Sequence, residues 1–283
     1  MSSSSASSSD EDEDHRSTTL EEGPPAKRVK TKETKVVDAP LPMPVADGVN
    51  TTVGPSTSSQ QKPVIILLDQ ATLETVKNKR GVYELLNCDD HRELCKRKLK
   101  KDPNAFRPDI LHQELLALMD SPLNKAGLLK IYIQTQKKVL IDIHPSVRIP
   151  RTYKRFSGLM VQLLHKMKIK AGTESTVLLK VIKNPFSQYF PAGTRCYGME
   201  PEGQLYSPLC LARAKLPPTP DDNNSNRGQP PTCFVVGAMS TGNVTLEDHP
   251  YMEEMISVSQ YPLSGAAALS RIVCGIEEHW GIV

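Results

Sequence analysis

Two short stretches constrain the fold most. "VIILL" (Val64 to Leu68) and "CFVVGAM" (Cys233 to Met239) are apolar almost without interruption. Both are far too short to cross a bilayer. The first, entered from Pro63, has the look of a buried strand, and the second reads as another strand. The segments around them carry a different period. In "RTYKRFSGLMVQLLHKMKI", Phe156, Leu159, Met160, Leu163, Leu164 and Met167 recur at spacings of three and four, one apolar stripe along a helix. "RPDILHQELLALMDSP" reads as a second helix, with Pro108 in its first turn and Ile110, Leu111, Leu115 and Leu118 able to share a face. "GLLKIYIQTQKKVLIDIHP" holds two alternating runs about a turn near Gln136, a hairpin signal.

"LETV" and "GVYELLNCDDHRELCKRKL" read as mainly helical, ending in the basic cluster Lys96 to Lys101. Further strands are predicted at "TVLLKVIKN" and "MISVS", and a final helix from about Gly265 to Trp280. Strands alternating with helices give an α/β domain. That domain spans residues 62–283, with "LPPTPDDNNSNRGQPP" (residues 216–231) as a polar, mobile insertion. No internal repeat is evident.

Residues 1–61 differ in kind. A serine run leads into "DEDED", then into Pro, Thr, Val and Gly without period, too little apolar surface to offset the entropy of ordering. This segment is predicted to be a disordered tail. Within it, "PPAKRVKTK" (Pro24 to Lys32) resembles a nuclear import signal. Ser7, Ser8 and Ser9 precede acidic residues and resemble sites for acidophilic kinases. The tail holds six Lys and Arg against ten Asp and Glu, a balance of −4, and the remainder 29 against 22, a balance of +7. A basic body fits an anionic partner such as nucleic acid; ordinary solvated lysines are the alternative.

The start of the chain has no apolar stretch of secretory type. The six cysteines are dispersed with no C-x-x-C pair, which argues for a reducing compartment and against a zinc site or disulfide framework. No dinucleotide-binding, P-loop, H-E-x-x-H or G-x-S-x-G signature is present, and the seven histidines have no metal-like spacing.

Two loops after apolar strands remain. In "VVGAMSTGNV", Gly237 ends the strand and Gly242 follows five residues on, where glycine allows close backbone approach to a ligand. In "SVSQYPLSG", Pro262 fixes a turn and Ser264 is placed to cap the final helix. Together they would offer backbone donors and acceptors at strand ends, where open α/β sheets bind ligands; plain turns joining core elements are the alternative. Arg148, Arg151 and Arg155 bracket the start of the striped helix, with Pro150 in its first turn. Arg151 and Arg155 would lie about 40° apart, away from the stripe. Planar guanidinium forks there suit phosphate, although a solvated basic face has the same pattern.

"RPDILHQ", "LMDSPLNKAGLL", "RIPRTYKRFSGLMVQLLHK", "LLKVIKNP", "FVVGAM" with a following glycine, and "S.YPLS" occur in this order. With them the chain resembles the eukaryotic pseudouridine N1-specific methyltransferases of small-subunit ribosomal RNA, the ribosome-biogenesis (Nep/Emg) branch of the SPOUT class. The likeness covers about Pro63 to Val283. It implies a SPOUT-type α/β domain with a C-terminal trefoil knot, a rare exception to unknotted topology. It also implies S-adenosylmethionine bound in the knot, by Gly237, Gly242 and Val258, Ser259, Gln260, Tyr261, Pro262 and Leu263. Met199, in "CYGMEPEG", is a further cofactor contact that the resemblance implies, with a departure: a family member has a small polar residue near there.

Arg107, Arg148, Arg151 and Arg155 become RNA-binding residues in this reading, with Asp109 orienting Arg107. Asp120, in "MDSPLN", is the candidate catalytic group, to accept the N1 proton or orient the base. The implied reaction is methylation of ring nitrogen 1 of a pseudouridine in small-subunit rRNA, without metal. The implied setting is small-subunit biogenesis in the nucleus and nucleolus, with a homodimer, pre-ribosomal particles as partners and no membrane. A non-catalytic RNA-binding assembly factor, and a methyltransferase for another RNA such as tRNA, are the rival readings.

Overall fold

A computed structural model describes residues 64–172, 176–217 and 231–283. The predicted tail, its basic cluster and most of the 216–231 insertion lie outside the described residues. The two described residues that open that insertion are fixed: Leu216 is buried, and the Pro217 carbonyl accepts hydrogen bonds from His279 and Trp280, both at 3.0 Å.

The chain begins with β1 (Val64–Ala71), β2 (Thr75–Lys77) and β3 (Tyr83–Leu85), then α1 (Arg92–Leu94), α2 (Pro108–Met119) and α3 (Pro122–Lys125). β4 (Leu129–Thr135), β5 (Leu140–Ile143), α4 (Tyr153–Lys166), β6 (Lys168–Lys170) and β7 (Val177–Ile182) follow. The last third holds β8 (Arg195–Leu205), α5 (Pro208–Lys215), β9 (Thr232–Gly237), β10 (Met252–Ser257) and α6 (Gly265–Trp280). Eight strands form one sheet in the order β10-β8-β9-β1-β4-β5-β7-β6. The five from β10 to β4 are parallel, and β5, β7 and β6 join antiparallel.

β1 lies inside this sheet, between β9 and β4, which is why its run does not alternate polar with apolar. Val64, Ile66 and Leu68 face the main core with residues of α2, α4, α5 and α6. Ile65 and Leu67 face a second core with Tyr132, Phe186, Val235 and Met252. Each such side chain contributes on the order of 1.5–3 kcal/mol by leaving water. On α2, Leu111, Leu115 and Leu118 are buried; on α4, Phe156, Met160 and Leu163 are. α6 starts at Ser264, whose side chain accepts from the Ala267 amide, and stops at Gly281 with φ +65°. The predicted β4–β5 hairpin and final helix have these bounds.

Three expectations change. Residues 75–85, of which 75–76 and 81–85 read as mainly helical, form the β2–β3 hairpin, because Asn78 Oδ1 accepts from the amides of Arg80 and Val82 and closes a turn that Gly81 completes at φ +81°. Only a short helix, α1, and a π-helical turn at Cys95–Leu99 remain of that stretch. Met167, placed on the α4 stripe, is instead the left-handed residue that ends the helix, and it is exposed. Pro150 and Arg151 precede α4, whose N-cap is Thr152, so the 40° relation does not apply.

β8 was not expected at all. Met255 and Ile256 are consecutive on β10 but pair with Gly198 and Gln204 on β8, so Met199 to Gly203 leave the ladder as a five-residue excursion.

Candidate functional site

The ends of β8, β9 and β10 and the start of α6 enclose a cavity of about 200 Å³. Met199, Glu200 and Pro201 come from the β8 excursion, and Val236, Gly237, Met239, Gly242, Asn243 and Val244 from the end of β9 and its loop. The turn after β10 supplies Ser257, Val258, Ser259, Tyr261 and Leu263, and α6 supplies Gly265 and Ala268. Of the residues singled out in the sequence, Gly237, Gly242, Val258, Ser259, Tyr261, Leu263 and Met199 line it; Gln260 and Pro262 do not. Gly242 has φ +99°, a conformation side chains oppose, and so sets the loop's course along the wall.

The walls are braced from behind. Ser257 Oγ donates to the Ser259 carbonyl, the Tyr261 amide donates to Ser259 Oγ, and Arg271 Nε donates to the Val258 carbonyl at 3.1 Å. Asn243 Nδ2 reaches Glu200 Oε1 at 2.6 Å and joins the β9 loop to the β8 excursion. Deeper, Asp69 Oδ2 lies 2.7 Å from His249 Nε2, and His249 Nδ1 lies 2.8 Å from the Tyr251 hydroxyl. Burial pushes the Tyr251 pKa upward, so it stays a phenol and donates to Nδ1, leaving Nε2–H to donate to Asp69. This chain ties the far end of the β9 loop to β1.

Glu114 stands directly behind the α6 wall. It is fully buried, and neither carboxyl oxygen has a hydrogen-bond partner. Desolvation holds it well above the usual carboxylate range. A Cβ at Gly265 would lie 2.0 Å from Glu114 Oε1, so glycine is what lets helix and carboxyl meet. The cavity therefore combines apolar side chains, backbone groups freed by tight turns, the Asn243-bound carboxylate of Glu200 on its wall and a hidden acid behind it, which suits a ligand with flat apolar and polar parts. Among the described residues no group of three His, Cys, Asp or Glu is placed to hold a metal ion.

A second cavity, of about 500 Å³, lies at the end of α2. Leu116, Met119, Asp120, Lys125, Val147, Arg148, Ile149, Pro150 and Arg151 line it. Arg151 pairs with Asp120 at 2.8 Å, and Lys125 stands 3.9 Å from the same carboxylate while bonding the Met119 carbonyl. Arg151 and Asp120 are both substantially exposed, at 77% and 48% of their side chains, so the pair faces solvent and is open to a ligand. Arg155, also exposed, sits one turn into α4 and does not line this cavity. Arg107 grips Asp109 in a fork, Nε to Oδ1 at 2.9 Å and Nη2 to Oδ2 at 2.7 Å, which raises the Arg107 pKa further.

The loop carrying Arg148 and Arg151 is clamped by two residues that the sequence did not bring forward. His112 Nε2 bonds the Pro150 carbonyl at 2.7 Å, its ring stacked on Phe156, and Asn124 Nδ2 bonds the Pro145 carbonyl at 3.1 Å. Both act on backbone carbonyls, which leave no mark in residue order.

A profile described as EMG1/NEP1 methyltransferase matches residues 66–277. The chain is 47% identical over 226 residues to the Drosophila melanogaster protein named ribosomal RNA small subunit methyltransferase NEP1, covering 80% of this chain and 86% of that one. It is also 47% identical over 220 residues to the Homo sapiens protein of the same name, covering 78% and 83%. Its fold is similar to the crystal structure of Archaeoglobus fulgidus Nep1 bound to S-adenosylhomocysteine, with a TM-score of 0.60 and 22% identity, across 77% of this chain and 98% of that one.

Proposed function

The chain belongs to the EMG1/NEP1 methyltransferase family, and from that premise we propose that it methylates ring nitrogen 1 of a pseudouridine in small-subunit ribosomal RNA, using S-adenosylmethionine. The observation that carries this reading is the pairing of two unlike cavities on one domain, one walled by glycine turns at strand ends and one lined by Arg148, Arg151 and Asp120.

Gly237, Gly242 and the Ser257–Leu263 turn hold the cofactor through backbone groups, with Met199 against it from the β8 excursion. When bound, the cofactor supplies a methyl group activated on a sulfonium. The protein's residues then position the acceptor and exclude water, since the leaving thioether makes the transfer downhill. Arg107, Arg148, Arg151 and Arg155 take the phosphates around a nucleotide turned out of its stack. Asp120, steered by Arg151, orients the base and takes the proton that N1 gives up as its bond to the methyl carbon forms.

The parallel order in which β9 lies between β1 and β8, with α6 returning onto α2 and α5, supports a C-terminal trefoil knot. Tyr261 and Leu263, apolar yet exposed beside the cavity, support a homodimer that covers them. The composition of residues 1–61 and the cluster at Pro24 to Lys32 support a disordered tail and action in the nucleus and nucleolus, on pre-ribosomal particles. No described helix is long and apolar enough to cross a membrane.

The test is methyl transfer from labelled S-adenosylmethionine to a short RNA hairpin with uridine or pseudouridine at the loop position. Label on the pseudouridine hairpin alone is the expected result. Tight hairpin binding without label, with cofactor bound, would leave the non-catalytic assembly role as the better reading.

A further inference from the structure

Glu114 has no part in the roles above, yet both its carboxyl oxygens are buried without a partner beside the cavity wall. A carboxyl with neither oxygen hydrogen-bonded, at zero exposure, is ordinarily replaced by an apolar side chain, because nothing offsets its desolvation. Its position is specific. It lies against Gly265, the first residue of α6, and Gly265 is itself a wall of the cavity. Gly265 stands between the acid and the ligand space.

The surroundings pull it two ways, burial the stronger. Burial favours the neutral acid. The start of the 16-residue helix α6, with its amides and dipole, favours the anion. Charged side chains do not decide the matter. On α2, Asp109 is held by Arg107 and His112 by the Pro150 carbonyl; on α6, Arg271 holds the Val258 carbonyl and Glu277 accepts from the Leu123 amide. Lys125 of α3 is bound to the Met119 carbonyl, and Asp69 of β1 to His249. Tyr153 of α4 is a neutral phenol, its pKa pushed up to about 12 mainly by burial. Glu200, on the cavity wall, is engaged by Asn243 Nδ2, so Glu114 is the acid there with no partner, and a cation arriving in the cavity would supply one.

We propose that Glu114 makes the cavity discriminate by charge, giving up its proton when a sulfonium ligand lies against the Gly265 wall and keeping it when the ligand is the neutral thioether left after methyl transfer. The proton passes to solvent on binding and returns as the positive charge is lost, so the acid holds reactant and releases product. This inference rests on the reading of the cavity as the S-adenosylmethionine site and adds a residue outside the glycine turns. Glu114 is a positioning and selectivity residue, since Gly265 stands between it and the ligand.

The experiment is titration calorimetry of the full chain with S-adenosylmethionine and with S-adenosylhomocysteine, near neutral pH, in two buffers of different ionisation enthalpy. The two ligands share their adenosine and amino-acid parts, so the difference in protons released isolates the sulfonium. Wild type is expected to release more protons with S-adenosylmethionine, approaching one extra per site. Glu114→Gln should abolish that difference and reduce the preference for the charged ligand over the neutral one by about tenfold. Equal proton release by both ligands in wild type, or an unchanged difference in Glu114→Gln, overturns the inference while leaving the cofactor site in place. Binding of neither ligand overturns both. The wild-type comparison needs no variant, so a folding defect in Glu114→Gln would not obscure it.

Discussion

The two cavities are made of opposite materials. The one at the strand ends is shaped by backbone: turns at Gly237, Gly242 and Ser257 to Leu263, braced by hydrogen bonds, with Glu200 on its wall tied to Asn243 and a second acid, Glu114, hidden behind Gly265. The one beside α2 is built from side chains, Arg151 and Asp120 paired in the open and Arg148 exposed beside them. A backbone site tolerates little added volume and fixes one ligand shape. A cationic side-chain site tolerates shape and recognises charge, as an RNA backbone requires. The two should therefore fail separately.

The sharpest cut between them is Gly237→Val. A Cβ there would lie 2.9 Å from Met239 Cε and 3.5 Å from Val244 Cγ2, and the further methyls of valine would occupy space at the cavity wall that Gly237 leaves open. Cofactor affinity is expected to fall about 100-fold, roughly 3 kcal/mol, while filter-binding affinity for the RNA hairpin stays near wild type. Equal loss of both would mean that the cavities are one site.

Next is Gly265→Ala, which drives a methyl group into the Glu114 carboxyl and should cost about 2 kcal/mol of stability by chemical denaturation, with most of it regained in the double variant Gly265→Ala/Glu114→Ala. Additive losses would show that the contact is not what holds residue 265 to glycine. On the other side, Arg151→Ala is expected to weaken hairpin binding about tenfold and to lower the salt-dependence slope by about 1, with cofactor affinity unchanged.

The smallest effect concerns pH. Glu114 has a raised pKa in the folded protein, so its contribution to stability is full below the ordinary carboxylate value and is lost as pH rises toward the folded one. Relative to Glu114→Gln, wild type should lose stability steadily over that window, read from denaturation midpoints at several pH values. A flat difference would place the carboxyl in contact with water.

What the sequence made legible follows the same division. β1, α2, α4, the β4–β5 hairpin and the bounds of α6 came from period and caps, since each buries a regular face. The arginines came from residue type. β8 did not, because Gly198, Pro201 and Gly203 read as a loop and its pairing depends on β9 and β10, distant in the chain. The β2–β3 hairpin was hidden because a single side chain, Asn78, sets its turn. Gly237 and the β10 turn were visible as glycine and proline punctuation, but their arrangement around a cavity is tertiary. Glu114 left one trace: it falls on the face of α2 shared by Leu111, Leu115 and Leu118, where a charged residue breaks the stripe.

The place of β9 has a consequence for how the chain is assembled. β1 and β8 are made before it, yet they become neighbours only through it, each pairing with one side of residues 232–237. Until those six residues are synthesised and inserted, both earlier strands present an open hydrogen-bonding edge, the kind that invites aggregation. The bonds that fix Asp69 to Ala238 and to His249 wait on the same event. A topology so dominated by distant pairings folds slowly. The nascent protein therefore passes through a period with the loop of Arg148 and Arg151 already made and the cavity at the strand ends not yet formed, so the two halves of the molecule mature in sequence.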